Sequence, residues 1–224
     1  MRLLLRETKE ENAMSEGLKY IHKYKSGTDY NQRVTLLLLH GTGGDEDALS
    51  GLGRMILPGA GQLRPRGNVQ ENGMLRFFRR FAEGVLDVDD LKQRTGDLAD
   101  FVQQASAHYG FDEQYVVAVG FSNGANIAAS MLILLPQTLR AAILLHPMLP
   151  FVPETLPDLR GKHVFIGAGR ADPLVPSEQT EQLADLLKQA GASVEVFWQN
   201  GGHTVSVEEV KAMKGWIEVQ NMAH

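Results

Sequence analysis

The stretch from residue 115 to residue 132 constrains this chain more than any other. An apolar run, Tyr115-Val116-Val117-Ala118-Val119, leads into Gly120-Phe121-Ser122-Asn123-Gly124, and Ala125 to Leu132 follows as an amphipathic helix-forming segment. The order is strand, sharp turn, helix, with a serine at the apex. Such a turn lifts the serine clear of the sheet and exposes its hydroxyl. It also demands small neighbours, which is why glycine sits two residues to either side. The helix that begins there aims its N-terminal amides and its positive dipole end at whatever the serine attacks. The pattern G-x-S-x-G is a weak signal by itself. Between a β run and a helix it points to a nucleophile, with a structural turn serine as the competing reading.

The rest of the chain repeats this alternation. Leu18 to Tyr24 alternates at period two and reads as an outer strand. Val34 to Leu39 is continuously apolar, as expected of a strand buried on both faces. Residues 46–57 carry an amphipathic pattern that stops at Pro58-Gly59, and Gly61 to Arg64 is a short strand candidate. Residues 67–90 look polar, aromatic and irregular. Asp89 to Tyr109 reads as a long helix with Leu91, Leu98, Phe101, Val102 and Ala105 on one stripe. Leu139 to Leu145 and His163 to Ala168 read as buried strands, and Ala192 to Trp198 as an edge-like one. Helices are expected over Ser177 to Ala190 and Val207 to Val219. Strands alternating with helices imply an α/β fold with a mostly parallel sheet and helices on both faces.

The chain has 224 residues, 43% of them apolar, enough for one α/β domain. The first 14 residues are mostly polar beyond three leucines and read as a poorly ordered extension. Residues 15–224 read as the domain, and Met14 is an alternative start. A net charge of −5 and the lack of a basic stripe argue against a nucleic-acid partner. There is no cysteine, so disulfides, a thiolate nucleophile and thiolate metal sites are excluded. No segment approaches the ~18 apolar residues of a membrane span. Three N-terminal leucines are too few for a signal peptide. These features place the chain in the cytoplasm.

A serine hydroxyl needs a base beside it, and that base is usually a histidine oriented by a carboxylate. In α/β-hydrolase order the acid and then the histidine follow the serine. Asp172 fits as the acid, directly after the strand ending near Ala168. Asp158 is its rival but precedes a strand. His203, in Asn200-Gly201-Gly202-His203-Thr204 between the last strand and the last helix, fits as the base. His22, His108 and His163 sit at positions that read as structural or exposed. An oxyanion hole needs two backbone donors. One is expected from Asn123, the other from Thr42 in His40-Gly41-Thr42-Gly43-Gly44, with Gly41 and Gly43 shaping the turn. A phosphate-binding loop is the rival reading, but the spacing of neither common glycine motif is present.

On these pieces the chain resembles the phospholipase/carboxylesterase family of small serine α/β-hydrolases, which includes acyl-protein thioesterases. The motifs are His40 to Gly44, Gly120 to Gly124, Asp172-Pro173-Leu174-Val175-Pro176 and Gly201-Gly202-His203, and the resemblance runs from about residue 18 to the C-terminus. Pro65-Arg66-Gly67-Asn68, Arg76 to Arg80 and His146-Pro147-Met148 look like the bacterial carboxylesterases of the hydroquinone-resistance type. The resemblance implies hydrolysis of short acyl esters, no cofactor and no metal, and often a homodimer. It also extends to dienelactone hydrolases, which use a cysteine that this chain lacks. Many thioesterase members carry Gln after the serine, where this chain has Asn123, so the substrate class stays open.

No segment is long enough for a large cap, so a shallow pocket for small acyl groups is expected. His146 and Met148 are expected in its apolar wall. Arg66, Arg79 and Arg80 are candidates to receive an anionic group, with surface ion pairing as the competing reading. The sequence thus points to a serine carboxylesterase with Ser122, His203 and Asp172 as its triad. The alternatives are a thioesterase or lysophospholipase-type acyl hydrolase, a transferase or C–C hydrolase on the same scaffold, and a non-catalytic binding protein.

Overall fold

A computed structural model of the chain describes residues 10–13, 17–28 and 33–220. Of the extension 1–14, residues 1–9 and Met14 lie outside the described residues. In chain order the strands and helices are β1 (Glu10–Ala13), β2 (His22–Lys25), β3 (Thr35–Leu39), α1 (Ser50–Ile56), β4 (Gly61–Pro65), β5 (Val69–Glu71), β6 (Met74–Arg76), β7 (Arg80–Ala82) and β8 (Val85–Leu86). They continue with α2 (Val88–Tyr109), β9 (Val116–Phe121), α3 (Asn123–Leu134), β10 (Ala141–Leu145), β11 (His163–Gly169), α4 (Ser177–Gln189), β12 (Ser193–Gln199) and α5 (Val207–Val219).

One sheet runs β1-β2-β4-β3-β9-β10-β11-β12. From β4 to β12 every pairing is parallel, while β1 and β2 join antiparallel at one edge. Its central strands are buried on both faces, which is why they read as unbroken apolar runs. Along β3, Leu37 and Leu39 belong to a core beneath α2, α3 and α4, while Leu36 and Leu38 face the core beneath α1 and α5. β9 alternates likewise, with Val116 and Ala118 on one side and Val117 and Val119 on the other. This is the mostly parallel, doubly covered sheet expected from the sequence, and no large cap is inserted among the described residues.

Two segments differ from expectation. α1 starts at Ser50 rather than at Glu46, because aspartates hold the preceding residues in turns. Asp45 Oδ1 accepts from the Asp47 N–H at 2.9 Å, and the Ser50 hydroxyl donates to the Asp47 carbonyl at 2.9 Å. These side chains offer the backbone local bonds that compete with a helix. The stretch 67–90, which looked irregular, holds two small antiparallel hairpins, β5–β6 and β7–β8. The first turns at Asn72-Gly73, with φ of 51° and 81°. Two successive positive φ angles make the tight turn that a right-twisted hairpin favours, and Asn-Gly is its sequence signal.

α2 starts cleanly because the Asp87 side chain accepts from the Asp90 N–H at 3.1 Å, and it stops where Gly110 takes φ of 74°. The ends of β3, β9, β11 and β12 gather the loops that carry Thr42, Ser122, Asp172 and His203, as parallel sheets do at their carboxyl edge.

Candidate active site

Ser122 stands between β9 and α3 with φ 52° and ψ −113°. A side-chain-bearing residue is held there only under compulsion. The compulsion is visible. The Ser122 N–H donates to the Leu145 carbonyl at 2.8 Å, and its own carbonyl accepts from Asn126 N–H at 3.0 Å. α3 packs so closely under β3 that a Cβ on Gly124 would lie 2.0 Å from the Leu39 carbonyl oxygen. Only glycine fits that close approach.

Ser122 opens onto a cavity of about 280 Å³ that is also lined by Thr42, Asn123, His203, His146 and Met148. His203 Nδ1 lies 2.7 Å from Asp172 Oδ2. A carboxylate can only accept, so Nδ1 carries the proton and Nε2 is the basic nitrogen of the neutral ring. That Nε2 has no hydrogen-bond partner among the described residues. Asp172 is nearly sealed, its side chain 2% exposed. Its other oxygen accepts from Leu174 N–H at 2.9 Å and Val175 N–H at 3.1 Å. Burial pushes this carboxyl up, but the His203 bond, the Leu174 amide and the His146 bond outweigh it and hold it below the usual range. The rival Asp158 lies on the surface, ion-paired with Arg160 at 2.5 Å.

The remaining expectations divide. Neither the Thr42 nor the Asn123 backbone N–H is taken by a backbone carbonyl among the described residues. The Asn123 side chain points inward and accepts from Phe77 N–H at 2.8 Å. The Thr42 hydroxyl accepts from the buried Arg76 guanidinium at 2.5 Å. Met148 lines the cavity, its N–H donating to Asn126 Oδ1 at 2.8 Å. His146 lines it too, but its side chain is fully buried and its Nδ1 lies 2.8 Å from Asp172. It turns its nitrogens away from the space a substrate would fill.

Arg66, a candidate to receive an anionic group, and Gly41 and Gly43, expected to shape the turn at the substrate, do not line the cavity. Arg66 is captured by Glu46 through a two-pronged ion pair of 2.5 and 2.6 Å. Gly41 accepts from His40 Nδ1 at 2.7 Å and packs on the Phe121 ring. Gly43 donates its N–H to Leu75 at 2.9 Å. Arg79 pairs with Asp87 at 3.1 Å, and Arg80, which does line the cavity, is held by Glu71 at 2.8 Å. Sequence reasoning missed Asn126, Arg76 and Glu209. Glu209 could have been found as the fourth residue of the capping box Ser206-Val207-Glu208-Glu209, but nothing in that motif reports that it is fully buried.

His146, Asp172 and His203 bring their ligand atoms within 4.8 Å of one another. The two histidine–carboxylate contacts have the length of ordinary N–H···O bonds.

A family model described as the dienelactone hydrolase family matches residues 81–214. The Bacillus subtilis protein MhqD is 50% identical over 197 residues, 88% of this chain and 97% of that protein. The crystal structure of a Bacillus cereus carboxylesterase superposes with a TM-score of 0.89 at 45% identity, covering 91% of this chain and 96% of that one. A structure of YahD with malic acid gives 0.84 at 31% identity, covering 89% and 98%.

Proposed function

This chain belongs to the dienelactone hydrolase family and is a carboxylic ester hydrolase, and we propose that it works as a serine carboxylesterase on small esters, with Ser122, His203 and Asp172 as its triad. The observation that carries the reading is the Asp172–His203 pair: His203, its Nε2 unpartnered among the described residues, lines the cavity into which the strained Ser122 opens.

The steps follow from the residues. His203 Nε2 takes the hydroxyl proton as Ser122 Oγ attacks the ester carbonyl. The Thr42 and Asn123 N–H groups hold the oxygen that becomes an alkoxide, and losing one such donor costs on the order of 10²–10³ in rate. The tetrahedral adduct collapses, His203 gives its proton to the leaving alcohol, and the acyl group stays on Ser122. Water then repeats the cycle and frees the acid. Asp172 keeps Nδ1 protonated and stabilises the imidazolium. No step calls on a cofactor.

The cavity, at about 280 Å³, is at the small end for ligand pockets, which supports short acyl chains. Arg76 and Arg80 line its wall, both paired with Glu71 and each with further N–H groups that can receive the carboxylate of an acyl group, and the malic acid in the YahD structure is of that chemistry. The catalytic unit is residues 15–224. A cytoplasmic setting and a homodimer belong to the same proposal.

Ser122→Ala is expected to lower kcat on p-nitrophenyl acetate by a factor on the order of 10⁴–10⁶. A fluorophosphonate should label the parent protein at Ser122. Near-normal turnover by the variant, or labelling elsewhere, overturns the assignment. Matched esters and thioesters of one acyl chain separate the carboxylesterase from the thioesterase reading.

A further inference from the structure

We propose that His146 is a positioning residue, held as a buried cation between Asp172 and Glu209, and that its charge sets the lower pH limit of the reaction. The proposal rests on the triad reading of Ser122, His203 and Asp172.

Asp172 Oδ2 receives two histidines, His203 Nδ1 at 2.7 Å and His146 Nδ1 at 2.8 Å. Both nitrogens must therefore donate. On its far side His146 Nε2 faces Glu209 Oε2 at 3.7 Å and the Gln199 amide nitrogen at 3.3 Å. That amide already gives one hydrogen to the Thr204 carbonyl and lies 3.3 Å from Glu209 Oε2.

Glu209 is the second half of the observation. Its side chain and that of His146 are both fully buried. Its Oε1 has no hydrogen-bond partner among the described residues. A place is kept for it, since a Cβ on Gly167 would sit 1.7 Å from Oε1. A buried carboxylate needs an opposite charge or it must give up its own. The titratable groups facing His146 are Asp172 beyond β11, His203 beyond β12 and Glu209 on α5. In this cluster only His146 and His203 can become cations, and His146 alone faces both carboxylates. Burial opposes a proton on His146, but the nearby Glu209 carboxylate, the bond to Asp172 and the charges of both prevail and raise its affinity for one. The backbone accepts strain to put the ring there, with φ of 53° at His146.

The consequence falls on His203, whose ring centre is 5.2 Å from that of His146. A cation at that distance opposes a second one. Adding a second positive charge to the cluster is opposed, so the acid limb of the rate profile should lie lower with His146 charged than without it.

The experiment is the pH profile of kcat/KM on p-nitrophenyl acetate for the parent, His146→Asn, Glu209→Gln and the double variant. Asparagine tolerates the positive φ, and glutamine keeps the capping box. Both single variants should move the acid limb upward by roughly half a unit to one unit. The double variant should move the limb no further than His146→Asn does, because removing the histidine already removes the cation through which Glu209 acts. Nitrogen-15 NMR of the parent should find both ring nitrogens of His146 protonated at neutral pH, which needs no variant to fold. An unmoved limb with lower activity, or a neutral His146 ring, overturns the proposal. Fluorophosphonate labelling of Ser122 is run alongside. If labelling and the Ser122→Ala loss hold while the limb stays put, this proposal fails alone; if they fail, the triad reading fails first.

Discussion

Ser122 carries two demands that conflict. Reactivity needs the hydroxyl at the apex, and the apex needs φ of 52° with ψ of −113°, a conformation natural only to glycine. Replacing the serine by alanine removes the hydroxyl and keeps the strain, whereas glycine removes both. Ser122→Gly is therefore expected to be more stable than Ser122→Ala by about 1 kcal/mol, read from urea midpoints, with both inactive in the ester assay. Equal midpoints would mean that the turn stores no strain. At this scale the sequence speaks through order along the chain: Ser122, Asp172 and His203 follow one another in the order expected of a hydrolase, and the fold brings Ser122 and His203 to one cavity and Asp172 to His203. The sequence was unreadable where only three-dimensional neighbours decide. Arg66 beside Pro65 looked free for a substrate, yet Glu46, twenty residues earlier, holds it. Glu209 drew no notice in the sequence, yet it is fully buried against His146.

Among the elements, the buried strands declared themselves, because burial on both faces leaves no polar alternation to misread. The short hairpins did not, since two or three residues are too few for a period, although Asn72-Gly73 marked one turn. α5 is the element whose start matters most to the site, because its first turn contains Glu209. Its N-terminus is fixed by a reciprocal cap: the Ser206 hydroxyl accepts from Glu209 N–H at 3.1 Å, and Glu209 Oε2 accepts from Ser206 N–H at 3.3 Å. Ser206→Ala should cost about 1 kcal/mol. In a chain of this length that lowers the thermal midpoint by about 2–4 °C, measurable by calorimetry. An unchanged midpoint would show that α5 is held by its packing alone.

At the scale of the whole molecule, acid stability hangs partly on the ion pair joining the loop after β3 to the end of β4. Arg66 holds the Glu46 carboxyl down from an ordinary 4.5 to about 2. A carboxyl whose folded value is depressed stabilises the fold above its unfolded value and loses that stabilisation as the pH falls through the folded one. The window thus runs from about 4.5 down to about 2. Solvent reaches Arg66, whose side chain is 35% exposed, and screens the pair. Glu46→Gln should therefore cost about 1 kcal/mol at neutral pH and flatten the fall in stability across that window. Urea midpoints at pH 7, 4 and 3 would check it, and a variant with the parent's pH slope would rule the pair out as a source of acid sensitivity.

The segment between β4 and α2, with its two hairpins, is pinned to its surroundings through its backbone, besides the Arg76–Thr42 bond. The Gly67 N–H donates to His40 Nε2, the Leu75 carbonyl accepts from Gly43, the Phe77 N–H donates to Asn123 and the Arg79 N–H donates to Asp90. Between these pins lie the two hairpin turns, and the proposed triad lies on other strand ends. Selectivity can thus be inherited apart from reactivity. An insertion or exchange at a hairpin tip, near Asn72 or Gly84, would give a descendant a new diet of esters while leaving the hydrolytic centre as its ancestor left it.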